Sequence, residues 1–394
     1  MHSLPHDHTG ARIKRLRLQY GLTQKALSDL SGIPYSTLTK TEQGRIAATP
    51  YVIACVARAL RVEPAAVTGQ PYADELRADA LDVLLLPIRE ALDVYDLGPD
   101  PDITPRPWRL LHADADELLL DVRAGQIKKA ASHVAGLIQE VTTAAHLTQT
   151  ADGWRTLAST YRTAYDVATK LGYSDLAVIA LSRMDWAAVH ASDALVGGMY
   201  RYMRALTHLR SGQYRTGARL VQTGFQVLDQ AEEGRERDAV AGQLHLGAAV
   251  LAGRAKHAHD AEQHLAEADR LADRTGEAVE VHWLAFGPTN VAVHRVSVLA
   301  ELDRYDEAVR DGAQVTLPDA YPASRRSHHY ADLARAQMWD GDLSGAFASL
   351  LAARKAAPQQ AKYHPMVRET YHGLEAAKRA LPDTFLSYGT WLGI

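Results

Sequence analysis

The sequence predicts an all-α protein in which an N-terminal unit of five short helices precedes a long stack of paired helices. Three observations carry that expectation. Helix-period segments of roughly 12 to 20 residues recur from end to end, while strand-like alternation bounded by turn signals is hard to find. Pro and Gly clusters divide the chain at residues 61–75 and 97–108. Beyond residue 120 a unit recurs in which one helix ends, the chain turns, and a second helix begins around a small residue.

With 394 residues, 47% of them hydrophobic, the chain exceeds what one core organises, and two or more domains are expected. Its charge is unevenly placed. Residues 1–70 hold nine cations (Arg12, Lys14, Arg15, Arg17, Lys25, Lys40, Arg45, Arg58, Arg61) against four acids (Asp7, Asp29, Glu42, Glu63). That balance of +5 leaves −9 for the rest of a chain whose net charge is −4. A basic end on an acidic body is the pattern of a nucleic-acid-binding module joined to a domain that does not bind nucleic acid. Cys55 stands alone, so no disulfide framework or thiolate metal site is available, and a reducing compartment is expected. No run approaches the ~18 apolar residues of a membrane span, and "MHSLPHDHTG" has no apolar signal segment, so a soluble cytoplasmic protein is expected. His2, His6 and His8 are close enough to catch a metal, but a flexible leader over 1–9 is the plainer reading, and no metal or cofactor is expected.

The first helix lies in "GARIKRLRLQYGLTQ", basic and amphipathic, and ends at Gly21. Thr23 is placed to cap a second helix from Gln24, with Ala26, Leu27 and Leu30 on one face and small Ser28 where the next helix crosses. Gly32 supplies a turn that needs positive φ, Ile33 enters the core, and Pro34 opens the third helix. That helix runs to about Glu42, Leu38 inward and Tyr35, Ser36, Thr37, Thr39 and Lys40 mostly outward, until Gly44 stops it. "TPYVIACVARALRVEPAAVTG" adds a capped helix and a final short turn.

Over residues 10–69 this series resembles the xenobiotic-response-element-type helix-turn-helix of phage repressors and Cro-like proteins. The resemblance implies that Gln24 binds a phosphate at its helix N-terminus, and that Tyr35, Ser36 and Lys40 face base edges in the major groove. It further implies that Thr37 and Arg45 contact the backbone, with Arg15 or Arg17 on flanking phosphates. Thr41 departs from the pattern, which has a large apolar residue there, and a loosely packed recognition helix is expected. One such module reads few base pairs, so a homodimer on an inverted repeat of double-stranded DNA is expected.

Residues 70–120 are expected to be connecting helices with a Pro-rich loop, and 121–394 a repeat domain. Six units align on Ala130, Ala177, Gly217, Ala261, Ala308 and Ala346, separated by 47, 40, 44, 47 and 38 residues. The small residue lets two antiparallel helices approach; Tyr214 before Gly217 and Tyr305 before Ala308 fill the space beside it. These features resemble degenerate tetratricopeptide repeats, which implies a right-handed α-solenoid whose inner wall is lined by the first helix of each pair.

A DNA-binding unit on such a body resembles a group of actinobacterial regulators and the peptide-receptor regulators of Gram-positive quorum sensing. The resemblance implies a transcriptional regulator whose groove binds a peptide, a small molecule or a partner protein. A tetratricopeptide scaffold or peptide receptor acting through protein contacts is the alternative. Gly287 and Pro288 break an apolar run in "VHWLAFGPTNVAVHRVSVLA", with Trp283, Asn290, His294 and Arg295 around the break. These four are candidate ligand contacts, although Trp283 and His294 as core residues and Asn290 as a cap is an equally open reading. Further candidates are Tyr165, Trp186, His190, Tyr200, Arg201, Arg204, His208, Arg326, His329 and Tyr330, a set suited to an acidic, amphiphilic or peptide signal. An enzyme is not expected, since no phosphate loop, HExxH, nucleophile elbow or carboxylate pair with a proton-relay partner occurs.

Overall fold

The computed structural model describes residues 8–377 and 382–394. These residues are helical apart from turns, loops and one isolated antiparallel bridge between Ala278 and Phe286. His2 and His6 lie outside the described residues. His8 is not leader: its Nδ1 accepts from the Ala11 N–H at 3.2 Å and caps the first helix.

Five helices form the head: α1 (Thr9–Gln19), α2 (Gln24–Ser31), α3 (Tyr35–Glu42), α4 (Pro50–Leu60) and α5 (Pro64–Thr68). Their local chemistry follows the sequence closely. Thr23 Oγ1 accepts from Ala26 N–H at 3.1 Å, Gly32 turns at φ 72°, and Ser28 Oγ donates to Ile33 O at 2.7 Å. Ile13, Leu27, Ile33, Leu38, Val56 and Val67 close the core, whereas Leu30, expected beside Leu27, is 61% exposed. Thr41 does not loosen α3. It is buried, its hydroxyl donates to Thr37 O at 2.9 Å, and Gly10 of α1 lies so near that a Cβ there would stand 1.8 Å from Thr41 O. The small pair Gly10 and Thr41 brings two backbones together where a large residue would have held them apart.

The connector contains α6 (Ala73–Ala78), a 3-10 turn (Asp82–Leu84), α7 (Leu85–Asp93) and an extended Pro-rich stretch. Six helix pairs follow: α8 (Trp108–Arg123) with α9 (Ile127–Thr148), α10 (Ala151–Leu171) with α11 (Ser174–Ala191), α12 (Ala194–Arg210) with α13 (Tyr214–Leu228), α14 (Arg235–Arg254) with α15 (Ala258–Thr275), α16 (Pro288–Glu301) with α17 (Tyr305–Gly312), and α18 (Ala323–Asp340) with α19 (Leu343–Ala356). The first pair therefore begins at Trp108, inside the span expected to be connector. Ala130, Ala177, Gly217, Ala261, Ala308 and Ala346 are each the fourth residue of a second helix, and each is buried. At Gly217 a Cβ would stand 2.6 Å from Leu251 Cδ2, so the crossing needs its small residue. Three more helices complete the chain: α20 (Pro358–Tyr363), α21 (Pro365–Ala377) and α22 (Asp383–Leu392).

The first helices α8 and α10, and α12, α14, α16 and α18 in turn, pack side by side, α11 joins α10 to α12, and α18 returns to touch α8, so the stack closes around a central space. The Gly287–Pro288 break is not a kink. Residues 276–287 leave the α-helix, keeping only a 3-10 turn at Val281–Trp283, with His282, Trp283 and Ala285 at φ 45°, 53° and 59°, and Pro288 begins a new helix at its first position. The segment is anchored by fully buried Phe286, which occupies the gap left by Gly242.

The head is seated on this body. Met366 of α21 joins the head's core, Glu369 accepts from Ala48 N–H at 3.2 Å and from the Thr9 hydroxyl, and Arg58 of α4 donates to Gly212 O in the α12–α13 turn.

Candidate nucleic-acid interface and central cavity

On the head, Tyr35, Ser36 and Lys40 form an exposed face of α3, with Thr37 half-buried beside them and Arg45 exposed just beyond the helix. Arg15 is exposed on α1. Arg17 is not available to DNA. It is 6% exposed, and its Nε and Nη2 donate to the two oxygens of Glu42 at 2.7 and 2.9 Å. That bidentate bond raises the Arg17 pKa and fixes α1 against α3. Gln24 is half-buried and partly spent on the same carboxylate: its Nε2 donates to Glu42 at 2.8 Å, and its Oε1 accepts from the Tyr35 hydroxyl at 3.4 Å. The head therefore separates an internal ion pair from an outward face on which Lys40 and Arg45 stand exposed.

The body's central space is a cavity of about 380 Å³. Each of its first helices, α8, α10, α12, α14, α16 and α18, contributes to the wall, and no second helix does. Pro50 and Ile53 of α4, Pro64 and Thr68 of α5, and Gln70 close one side, so the head is part of the enclosure. The lining holds six cations, Arg123, Arg162, Lys170, Arg210, Arg254 and Arg325, against three carboxylates, Asp166, Glu301 and Asp332.

Those charges fall into two groups. Glu301 accepts from Arg254 at 2.6 and 3.0 Å and from Arg335 at 3.0 Å. Burial would raise its carboxyl, but the two guanidiniums outweigh burial and hold it down to about 2. Around Asp166 the balance is reversed. Arg123 pairs with it at 3.2 Å, while Arg162, Lys170, Arg210 and Arg325 form no ion pair among the described residues. Arg162 donates to the carbonyls of His282 and Trp283, and Arg123 Nε donates to Trp283 O at 2.9 Å, which pins the irregular segment to α8 and α10. Burial pushes Lys170 down to about 8, Arg123, Arg325 and Arg210 adding to it against the pull of Asp166. Burial likewise holds His294 and His364 down to about 3, so both are neutral donors or acceptors near pH 7.

Of the candidate ligand contacts, Tyr165 and His294 line this cavity. Trp283 lines a second space of about 400 Å³ on the other side of the irregular segment, its Nε1 donating to Asp116 at 3.2 Å. The rest lie elsewhere. Trp186 meets Trp154 edge-on at 5.2 Å, and His190 lies tilted against the same ring at 4.7 Å. Tyr200 accepts from Arg204 at 3.2 Å, Arg201 pairs with Asp185 at 3.0 Å, and His208 meets Gln213 at 3.0 Å. Asn290 is fully buried, accepting from Tyr321 at 2.8 Å and donating to Gln243 at 3.2 Å. Arg295 pairs with Asp269, Arg326 donates to Pro318 O at 2.6 Å, and buried His329 lies tilted against Tyr330 at 5.6 Å.

The difference is one of helical phase. On α12 the cavity takes Tyr202, Leu206, Leu209 and Arg210, while the candidates were one or two residues off that stripe. The missed charges carried a signal: Arg162, Asp166 and Lys170 stand four apart within α10, a charged row along a helix otherwise largely buried. Among the described residues no group of three or more His, Cys, Asp or Glu is arranged to hold a metal; His264 instead faces His245 at 3.0 Å, and His259 faces Gln263 at 3.0 Å.

A helix-turn-helix head seated on a closed ring of helix pairs defines the class of molecule: a DNA-binding transcription regulator carrying a helical-repeat body. The comparison with known families agrees for the head, where residues 13–67 match the helix-turn-helix family. No curated protein and no solved structure matches the chain. No helix among the described residues is long and apolar enough to cross a membrane.

Proposed function

We propose that the protein is a sequence-specific regulator that binds an inverted-repeat operator as a homodimer, and that occupancy of its central cavity controls the head. The observation that carries this reading is the enclosure: α4 and α5 of the DNA-binding head form part of the wall of the cavity in the body. An occupant touching both parts alters the free energy with which the head is seated, and by linkage DNA alters the affinity for the occupant by the same factor. In this reading Tyr35, Ser36 and Lys40 read bases, while Thr37, Arg45 and Arg15 hold phosphates. Arg17 has no part in it.

The test is genome-wide mapping of the tagged full-length protein beside its Lys40→Ala, Arg45→Ala double variant. The wild type should collect at sites sharing a palindrome whose half-sites are about 10 base pairs apart, and the double variant should lose them. Enrichment without a recurring palindrome contradicts the dimer. Enrichment unchanged in the double variant contradicts the assigned DNA face and favours action through protein contacts.

A further inference from the structure

The cavity's two sides differ in chemistry. The body supplies all of the charge, a surplus of three cations over carboxylates, concentrated where Arg162, Lys170, Arg210 and Arg325 stand near the single carboxylate Asp166. The head supplies none: Pro50, Ile53 and Pro64 are apolar, and Thr68 and Gln70 are neutral. Met366, which joins the head's core, extends the apolar side.

A surplus of cations around one space is costly, most of all at buried Arg162, since hydration is lost and the like charges repel. Polar atoms here are also left over. Arg162 Nε, Thr169 Oγ1 and His364 Nδ1 are buried without a hydrogen-bond partner among the described residues, and all three belong to residues of the cavity wall. Unsatisfied polar atoms on α10 and on the residue preceding α21 are uncommon in a finished core. They are expected where a bound group completes the set.

We propose that the cavity takes a small amphiphilic oxyanion, a phosphate or carboxylate on a short apolar body, with the anion held by Arg162, Lys170 and Arg325 and the apolar end against Ile53 of the head. This rests on the reading that cavity occupancy controls the head, and it gives the occupant an orientation. The charged group binds the body, where guanidinium and ammonium groups outnumber carboxylates. The apolar end presses on α4, the helix that also carries the Arg58 bond to the α12–α13 turn. About 380 Å³ lies at the small end of the ~300–1,000 Å³ typical of ligand pockets, which fits a metabolite-sized acid and excludes a folded peptide.

Calorimetric titration of the full-length protein with phenyl phosphate, phenylacetate and benzyl alcohol tests this. At least one of the two acids should bind saturably with one site per chain, and which one binds separates a phosphate from a carboxylate head group. Benzyl alcohol, with the same apolar ring and no charge, should bind at least about tenfold more weakly. Lys170→Met and Arg325→Met should each weaken the bound acid about tenfold or more. Lys170→Met removes a cation whose charge burial disfavours, so it should not lower the thermal midpoint of the unliganded protein. No saturable binding of either acid, or equal binding of the alcohol, overturns the proposal, and this comparison needs only the wild type. Acid binding untouched by both variants also overturns it. An acid that binds as described while leaving operator affinity unchanged sustains the anion site and contradicts only the control of the head.

Discussion

Two ionic clusters face the same cavity in opposite states. Glu301 is saturated, with Arg254 and Arg335 both on its oxygens, while Asp166 stands among Arg123, Arg162, Lys170, Arg210 and Arg325 with one of them paired to it. The head repeats the contrast at smaller scale. Arg17 is consumed by Glu42 inside, and Lys40 faces outward on α3. In both places charge that has a partner within the chain holds the fold, and charge without one lies on the surface or space for which a bound partner is proposed. The distinction predicts which substitutions cost stability and which cost binding.

The largest effect belongs to the saturated cluster. Glu301→Gln leaves two guanidiniums without their carboxylate and should cost about 3–5 kcal/mol in urea unfolding. Acid should act through the same group. Its pKa is depressed in the fold, so its contribution is complete above the unfolded value near 4.3 and is lost as pH falls toward about 2. His294 and His364 are depressed as well, so their contribution is complete above about 6.5 and declines as the pH drops below it, before the carboxylate begins to titrate. A stability profile that stays flat from pH 7 to 3 contradicts both assignments.

Next is the head's internal pair. Arg17→Met strands Glu42 and should destabilise the protein by about 3 kcal/mol, read as a fall in thermal midpoint without DNA present. Lys40→Ala is its counterpart: stability should move by no more than about 0.5 kcal/mol, while operator affinity falls by about 1–3 kcal/mol. If Arg17→Met were instead stable and DNA-deficient, the paired and unpaired roles would be exchanged. The smallest effect is that of Lys170→Met, whose unliganded stability should equal or exceed wild type by up to about 1 kcal/mol, because it relieves repulsion and desolvation together.

How much of this was legible in the sequence depends on how far apart the cooperating residues lie. Thr23, Gly32, Ser28 and Gly44 act within a few residues of themselves, and the head could be read in order. Ala130 and its five counterparts mark helix crossings for the same reason: the constraint is local and recurs. The cavity is assembled from six helices, a terminal segment and the head, so no short stretch describes it. Two candidates, Tyr165 and His294, point into it; Arg201, His208 and Arg326 miss it because a 3.6-residue period turns a neighbour away from the wall. Arg17 was open to misreading because its carboxylate partner is 25 residues distant. Thr41 was misread because its compensation, Gly10, lies on another helix.

The central claim, that the state of the cavity is felt by the DNA-binding head, has a test that needs no ligand. Leu206 of α12 lines the cavity from the body and is remote in sequence from the DNA face, so Leu206→Trp fills space that an occupant would fill. Operator affinity of the full-length variant, measured by fluorescence anisotropy on a site recovered by mapping, should differ from wild type by about tenfold or more, in the range of ordinary coupling energies. A folded Leu206→Trp protein that binds the operator with wild-type affinity contradicts the account.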